Sequence, residues 1–197
     1  FDRDAKPSAA LKVCNPAGAC ENQVLSIAQR SYDIQRVNGV PQQTVTPPAS
    51  VLERIRREGA LVSAARSQFS TRQDFVKEFT WPLLGPITGV FGSQRVYNGS
   101  PGRPHYGLDI AAPTGTRVSA PIDGVVTLAY PDMFYSGGTL IIDHGLGVSS
   151  TFIHLSKILV EEGQVVQQGD AIAEVGATGR AALNLKSMNF ECIKTND

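Results

Sequence analysis

His105-Tyr106-Gly107-Leu108-Asp109-Ile110-Ala111-Ala112-Pro113-Thr114-Gly115-Thr116 sets a histidine four residues before a carboxylate and closes on a Pro-Thr-Gly turn. The stretch reads as a β-strand. Side chains on a strand alternate faces with period two, so positions 105, 107 and 109 are expected to point the same way. Gly107, between the two functional side chains, is expected to leave open space over the pair. A histidine and a carboxylate so placed make half of a metal site, and the remainder must come from elsewhere in the chain.

The chain has 197 residues, enough for one substantial domain and a smaller module. Hydrophobic residues make up 42%, which supports a sizeable core. Lys+Arg and Asp+Glu are both 18, so the chain lacks the basic footprint of a nucleic-acid binder. No apolar run approaches the roughly 20 residues that span a bilayer. The sequence opens at Phe1 rather than Met, which reads as a processed chain whose signal or anchor is not present. Cys14 and Cys20 flank the turn-rich Asn15-Pro16-Ala17-Gly18-Ala19. They read either as a short-loop disulfide, which favours an oxidising compartment, or as two reduced cysteines on a hairpin. Cys192 receives no role.

Short apolar groups among Asn-Pro, Asn-Gly and Pro signals predict a small β-module over residues 1–45, with strands near 10–13, 23–28 and 33–37. Thr46-Pro47-Pro48 predicts a helix start, with Thr46 as cap and proline in the first turn. Val51, Leu52, Ile55, Val62 and Phe69 carry the helical period to about Gln68. Arg54, Arg56 and Arg57 read as a solvated helix face. A polar linker follows, giving a helix-and-linker unit over 46–80. From Trp81 onward, β-branched runs alternate closely with Gly and Pro, at 87–91, 117–120, 124–129, 139–143, 149–154, 164–166 and 171–175. This texture predicts a mainly β domain, a sandwich or barrel, over 81–197.

Trp81-Pro82-Leu83 with Gly89-Val90-Phe91-Gly92, the His105–Thr116 segment, Ala120-Pro121, Asp123-Gly124-Val125-Val126, Ile142-Asp143-His144-Gly145, Phe152-Ile153-His154-Leu155-Ser156 and Gly163–Gly169 occur in one order. Together they resemble the M23 (LytM-type) peptidase domain, over residues 81 to about 190. The resemblance implies a barrel-sandwich-like β fold with a groove for one Zn²⁺ and, as substrate, peptide stems or cross-bridges of peptidoglycan. It also implies a periplasmic or other extracytoplasmic place in the cell envelope. His105 and Asp109 match metal ligands of the family, and His154 matches a catalytic histidine.

The late motif departs from the pattern. Where the family carries a His-x-His, this chain runs Gly179-Arg180-Ala181-Ala182-Leu183-Asn184-Leu185-Lys186-Ser187-Met188-Asn189-Phe190. One register sets Ala182-Leu183-Asn184 over the histidine pair and makes Asn184 a weak third ligand. Another sets Ser187-Met188-Asn189 there. Neither supplies a histidine, because the chain has only His105, His144 and His154. A catalytic zinc ordinarily takes three protein ligands and keeps a fourth position for water, and an amide oxygen is a poorer donor than imidazole. His144, in Asp143-His144-Gly145, reads as a local hydrogen-bonding residue.

Two functions follow. One is a zinc metalloendopeptidase of peptidoglycan with an incomplete site. The other is a non-catalytic module that binds peptidoglycan or activates a cell-wall amidase. Glu162–Asp170 also resembles a lipoyl-type hairpin, but a carrier needs a lysine on an exposed turn and only Lys157 lies between Gly145 and Gly179. That likeness reads as a shared fold feature.

Overall fold

The computed structural model describes residues 1, 3–39, 47–179 and 187–194, the last stretch by its backbone. The chain is mostly β. The elements are β1 (Ser8–Cys14), β2 (Cys20–Ser26), β3 (Ile34–Val37), α1 (Ala49–Arg66), a 3₁₀ turn (Asp74–Val76), β4 (Ile87–Gly89), β5 (Gln94–Tyr97), β6 (Ser100–Pro104), β7 (Leu108–Ala111), β8 (Arg117–Ser119), β9 (Gly124–Met133), β10 (Gly137–Gly145), β11 (Val148–Ile158), β12 (Val165–Val166), β13 (Ala171–Val175) and β14 (Ser187–Lys194).

A nine-stranded sheet forms the body, in the order β12-β9-β10-β11-β14-β7-β4, with β13 joined to both β11 and β8. Strand β10 is buried along its whole length because both of its faces are covered. Leu140 and Ile142 enter the main core with Ile110, Val126, Phe152, Leu155, Ile172 and Val175. Ile141, on the opposite face, packs with Leu128 and Met133 against Ala65 and Val62 of α1. The unbroken Leu-Ile-Ile run is the sequence counterpart of a strand with no solvent side.

Strand β11 changes partner along its length. Its first part, Val148–Ile153, pairs with β14, and its second part, from Leu155, pairs with β13. His154 stands at the fork. The register against β10 also shifts here, between Phe152↔Leu140 and Leu155↔Gly138, so the strand carries a bulge at 153–154.

Helix α1 begins at Ala49 with Pro48 as cap, in extended conformation and without a side-chain capping bond. The expected cap, Thr46, lies outside the described residues. A proline disfavours the helical region for the residue before it, so Pro48 keeps Pro47 out of the helix. Of the predicted apolar stripe, Val62 docks, whereas Leu52 and Phe69 stay exposed. The buried anchor is instead Glu58, which accepts from Arg54 Nε at 2.6 Å and from the Phe134 amide at 2.8 Å.

At the N-terminus β1 and β2 form an exposed hairpin with Cys14 directly opposite Cys20, and the two are joined in a disulfide. Strand β3 leaves this hairpin and pairs in parallel with β5, which pairs with β6. The segment before the helix is thereby tied to the chain just ahead of His105. Strands β5 and β6 are absent from the sequence-based expectation.

Candidate functional site

His105 and Asp109 meet as expected, with Nε2 3.2 Å from Oδ1, but strand alternation is not the reason. β7 starts at Leu108, and His105 precedes it. Four residues of extended strand would separate the two positions by about 13 Å, too far for these side chains to touch. A bend over 105–107 brings them together, and Gly107 is buried at that bend rather than opening space above the pair. Backbone bonds hold the bend: the Gly92 amide donates to His105 O at 2.7 Å, and the His105 amide to Ser93 O at 2.7 Å.

The imidazole is oriented by its second nitrogen. His105 Nδ1 lies 3.1 Å from Val90 O, and a carbonyl can only accept, so Nδ1 carries the proton. In the neutral ring Nε2 then turns a lone pair toward a carboxylate oxygen at 3.2 Å. Two lone pairs so close require a cation, either a proton or a metal. The edge of a tetrahedron around zinc, with bonds of about 2.0–2.1 Å, measures about 3.3–3.4 Å, close to the spacing seen. The donor types and their separation therefore fit zinc. Asp109 gains its space from Gly89, its cross-strand partner on β4. A Cβ at Gly89 would overlap Asp109 Oδ2 and approach Cγ to 2.8 Å.

His154 occupies a left-handed backbone conformation, φ 64°, which is uncommon for a residue other than glycine. Its amide donates to Ser136 O at 2.7 Å and its Nδ1 lies 2.9 Å from Thr178 O. The Thr178 carbonyl assigns the Nδ1 proton, so Nε2 is the basic nitrogen of the ring. Thr178 is itself clamped: its hydroxyl donates to Leu155 O at 2.9 Å and accepts from the Gly138 amide at 3.0 Å. A Cβ at Gly137 would overlap Thr178, so that glycine permits the close approach. The sequence reading did not single out Thr178 or Gly89, although Gly89 lies in a segment that carried the family resemblance.

His105, Asp109 and His154 line one groove of about 1280 Å³. Ile87–Val90 and Tyr135–Ser136 line it too, and α1 contributes Ile55, Gly59 and Val62. Arg95 and Arg103 of the β5–β6 hairpin and Asp33 add charge of both signs. His144 lies elsewhere. It is fully buried, with Nδ1 2.7 Å from Asp123 O, Nε2 2.8 Å from Ser150 Oγ, and Phe79 edge-on to the ring. Burial lowers its pKa below the usual histidine value, partly offset by the Asp123 carbonyl and the Asp143 carboxylate. This matches the local hydrogen-bonding part read from the sequence.

Asn184 and the Ala182–Asn184 register fall outside the described residues. Among the described residues no group of three His, Cys, Asp or Glu side chains is placed to hold a metal. The backbone of β14 is informative for the other register. It runs between β7 and β11, with Asn189 opposite Asp109 on one side and Ile153 on the other. Position 189 thus stands in line with the metal-type pair and one residue from His154.

Comparison with known proteins agrees with this layout. The family model "Peptidase family M23" matches residues 103–197. The crystal structure of a putative peptidase M23 from Pseudomonas aeruginosa superposes with a TM-score of 0.74 at 33% identity, covering 98% of this chain and 71% of that one. The chain belongs to peptidase family M23. Among curated relatives, the peptidoglycan DD-endopeptidase ShyB of Vibrio cholerae is 40% identical over 95 residues, 47% of this chain and 21% of that protein. The cell division protein DipM of Caulobacter vibrioides is 32% identical over 147 residues, 75% of this chain and 22% of that protein. The chain thus spans about a fifth of the length of these two relatives.

Proposed function

We propose that this chain is a peptidoglycan-directed zinc endopeptidase module of the cell envelope, working with a donor set one histidine short. The observation that carries this reading is the convergence of His105, Asp109 and the strained His154 on one groove. His105 and Asp109 would hold the zinc, with Asn189 or Asn184 as a weak third donor. Bound there, zinc supplies a Lewis acid that polarises the scissile carbonyl and acidifies water. His154, with its Nδ1 proton held by Thr178 O, presents Nε2 as the base that takes the proton from water and returns it to the leaving amine. A non-glycine residue held in the left-handed region by several bonds is a recurrent feature of active sites. The groove is of a size to take an extended peptide, here a stem or cross-bridge of the wall, and a DD-endopeptidase stands among the relatives. A periplasmic or other extracytoplasmic setting suits the Cys14–Cys20 disulfide. Among the described residues no helix is long and apolar enough to cross a membrane.

The second reading is a non-catalytic module that binds wall peptides or activates an amidase. The absence of histidine from the late segment favours it. Elemental analysis for zinc and chromatography of digested muropeptides separate the two. Stoichiometric zinc with chelator-sensitive cleavage, abolished in His154→Ala, supports the peptidase. No zinc and no cleavage, with stimulation of an amidase on purified sacculi, supports the module.

A further inference from the structure

The N-terminal segment reaches the metal-type pair through the turn that holds His105. Three partners of His105 lie in Val90–Ser93: Val90 O on Nδ1, Ser93 O on the amide, and the Gly92 amide on the carbonyl. Ser93 closes that turn from within, its amide and hydroxyl donating to Val90 O at 3.2 and 2.8 Å. Gly92 sits at φ 86° and the segment is only partly buried. Residues from far upstream brace it. The Tyr32 ring lies so close to Gly92 that a Cβ there would overlap it. Tyr32 also meets Phe91 edge-on at 6.3 Å, and Phe91 meets Tyr106, the neighbour of His105, at 6.1 Å. The Gln94 amide donates to Asp33 O at 2.9 Å, and Arg3 Nη1 to Gln94 Oε1 at 3.0 Å. Arg3 and Arg30 stand over the Tyr32 ring at 5.3 and 5.9 Å.

We infer that Tyr32, seated on Gly92 and backed by Arg3 and Arg30, is a positioning residue for the His105 imidazole. The N-terminal segment is then part of the site's second layer. With the ring removed, the Val90–Ser93 turn loses the surface it rests on, and the bond from His105 Nδ1 to Val90 O weakens. Nε2 then no longer keeps its lone pair toward Asp109. Outer-layer partners of metal-ligating histidines typically contribute about 10–100-fold in metal affinity.

The role of the pair as zinc ligands belongs to the proposed function, so the test includes readouts that need no metal. On the metal-free full chain, ¹⁵N NMR of the His105 ring reports whether Nδ1 keeps its proton on Val90 O. Hydrogen exchange reports the Gly92 and His105 amides. Wild type and Tyr32→Phe should show a proton held at Nδ1 and slow exchange. Tyr32→Ala should show a weakened or lost proton signal at Nδ1, exchange at both amides faster by tenfold or more, and zinc affinity lower by about tenfold. If Tyr32→Ala does not fold, Tyr32→Leu takes its place, with the same shifts expected in smaller degree. A lower melting temperature with an unchanged His105 Nδ1 proton signal and unchanged exchange would overturn the inference. If the wild type binds no zinc, the proposed function fails, and the inference still stands or falls on the Nδ1 proton and the exchange rates.

Discussion

Replacing Gly89 by alanine tests the placement of Asp109 with one methyl group. The Cβ would overlap Asp109 Oδ2 and come within 2.8 Å of Cγ and 3.2 Å of Cβ. The backbone at Gly89 is not in the left-handed region, so the new side chain adds no conformational strain of its own. Alanine would by itself favour the strand by roughly 0.5–1 kcal/mol relative to glycine. Overpacking against a confined neighbour costs roughly 1–3 kcal/mol. The net is a loss of up to about 2.5 kcal/mol, or a fall in melting temperature of up to about 10 °C for a chain of this size. The carboxylate can relieve the clash only by turning away from its 3.2 Å contact with His105. Thermal denaturation of the metal-free protein reads the first effect, and competition with a chromogenic chelator reads the second. Zinc affinity should fall by at least tenfold. A variant that is more stable than wild type and binds zinc equally well would show that the carboxylate does not occupy this space, and the account of the pair would be wrong.

Three further outcomes are expected. Asn189→His should raise zinc affinity by tenfold or more, because position 189 lies opposite Asp109, whereas Asn184→His should leave it unchanged; the reverse result in chelator competition would restore the Ala182–Asn184 register. Burial holds the His144 pKa below its unfolded value, so the unfolded chain binds the proton first as pH falls. Stability should therefore be full above about pH 6.5 and decline below it, by at most about 1.4 kcal/mol per pH unit, until the folded-state pKa is reached. Urea titrations between pH 8 and 5 read this, and His144→Gln should flatten that part of the profile. Gly59→Ala in α1 has open space around the new Cβ, so it should stabilise the protein by roughly 1 kcal/mol, seen as a melting point raised by about 2–4 °C.

Where a strand is rich in β-branched and aliphatic residues, the pattern of residues was enough to find it. Ala171–Val175 was read with its observed limits, and the runs at 124–129, 139–143 and 149–154 lie inside β9, β10 and β11. β-branched residues between Gly and Pro bounds carry that information locally. The Gln94–Tyr97 and Ser100–Pro104 strands carry no such signal, being polar and rich in Gly and Pro. They form because β3, some sixty residues upstream, adds a third strand. The apolar helix stripe likewise predicted α1 but not its anchor, since Glu58 is buried only because Arg54 and the Phe134 amide satisfy it.

The site divides in the same way. The order of the motifs carried the resemblance to the family, and that resemblance singled out His105, Asp109 and His154 as candidates. The sequence by itself also determined that no third histidine stands at the late motif. How the three groups are held was decided by tertiary structure. A bend, not a strand, joins His105 to Asp109. A fork and bulge in β11 turn His154 into the groove. Gly89, Thr178 and Tyr32 act only through neighbours distant in the chain, and such contacts exist only once the backbone has closed on itself. The register of the late segment is of this kind too, since inter-strand hydrogen bonds, not residue types, bring position 189 beside Asp109.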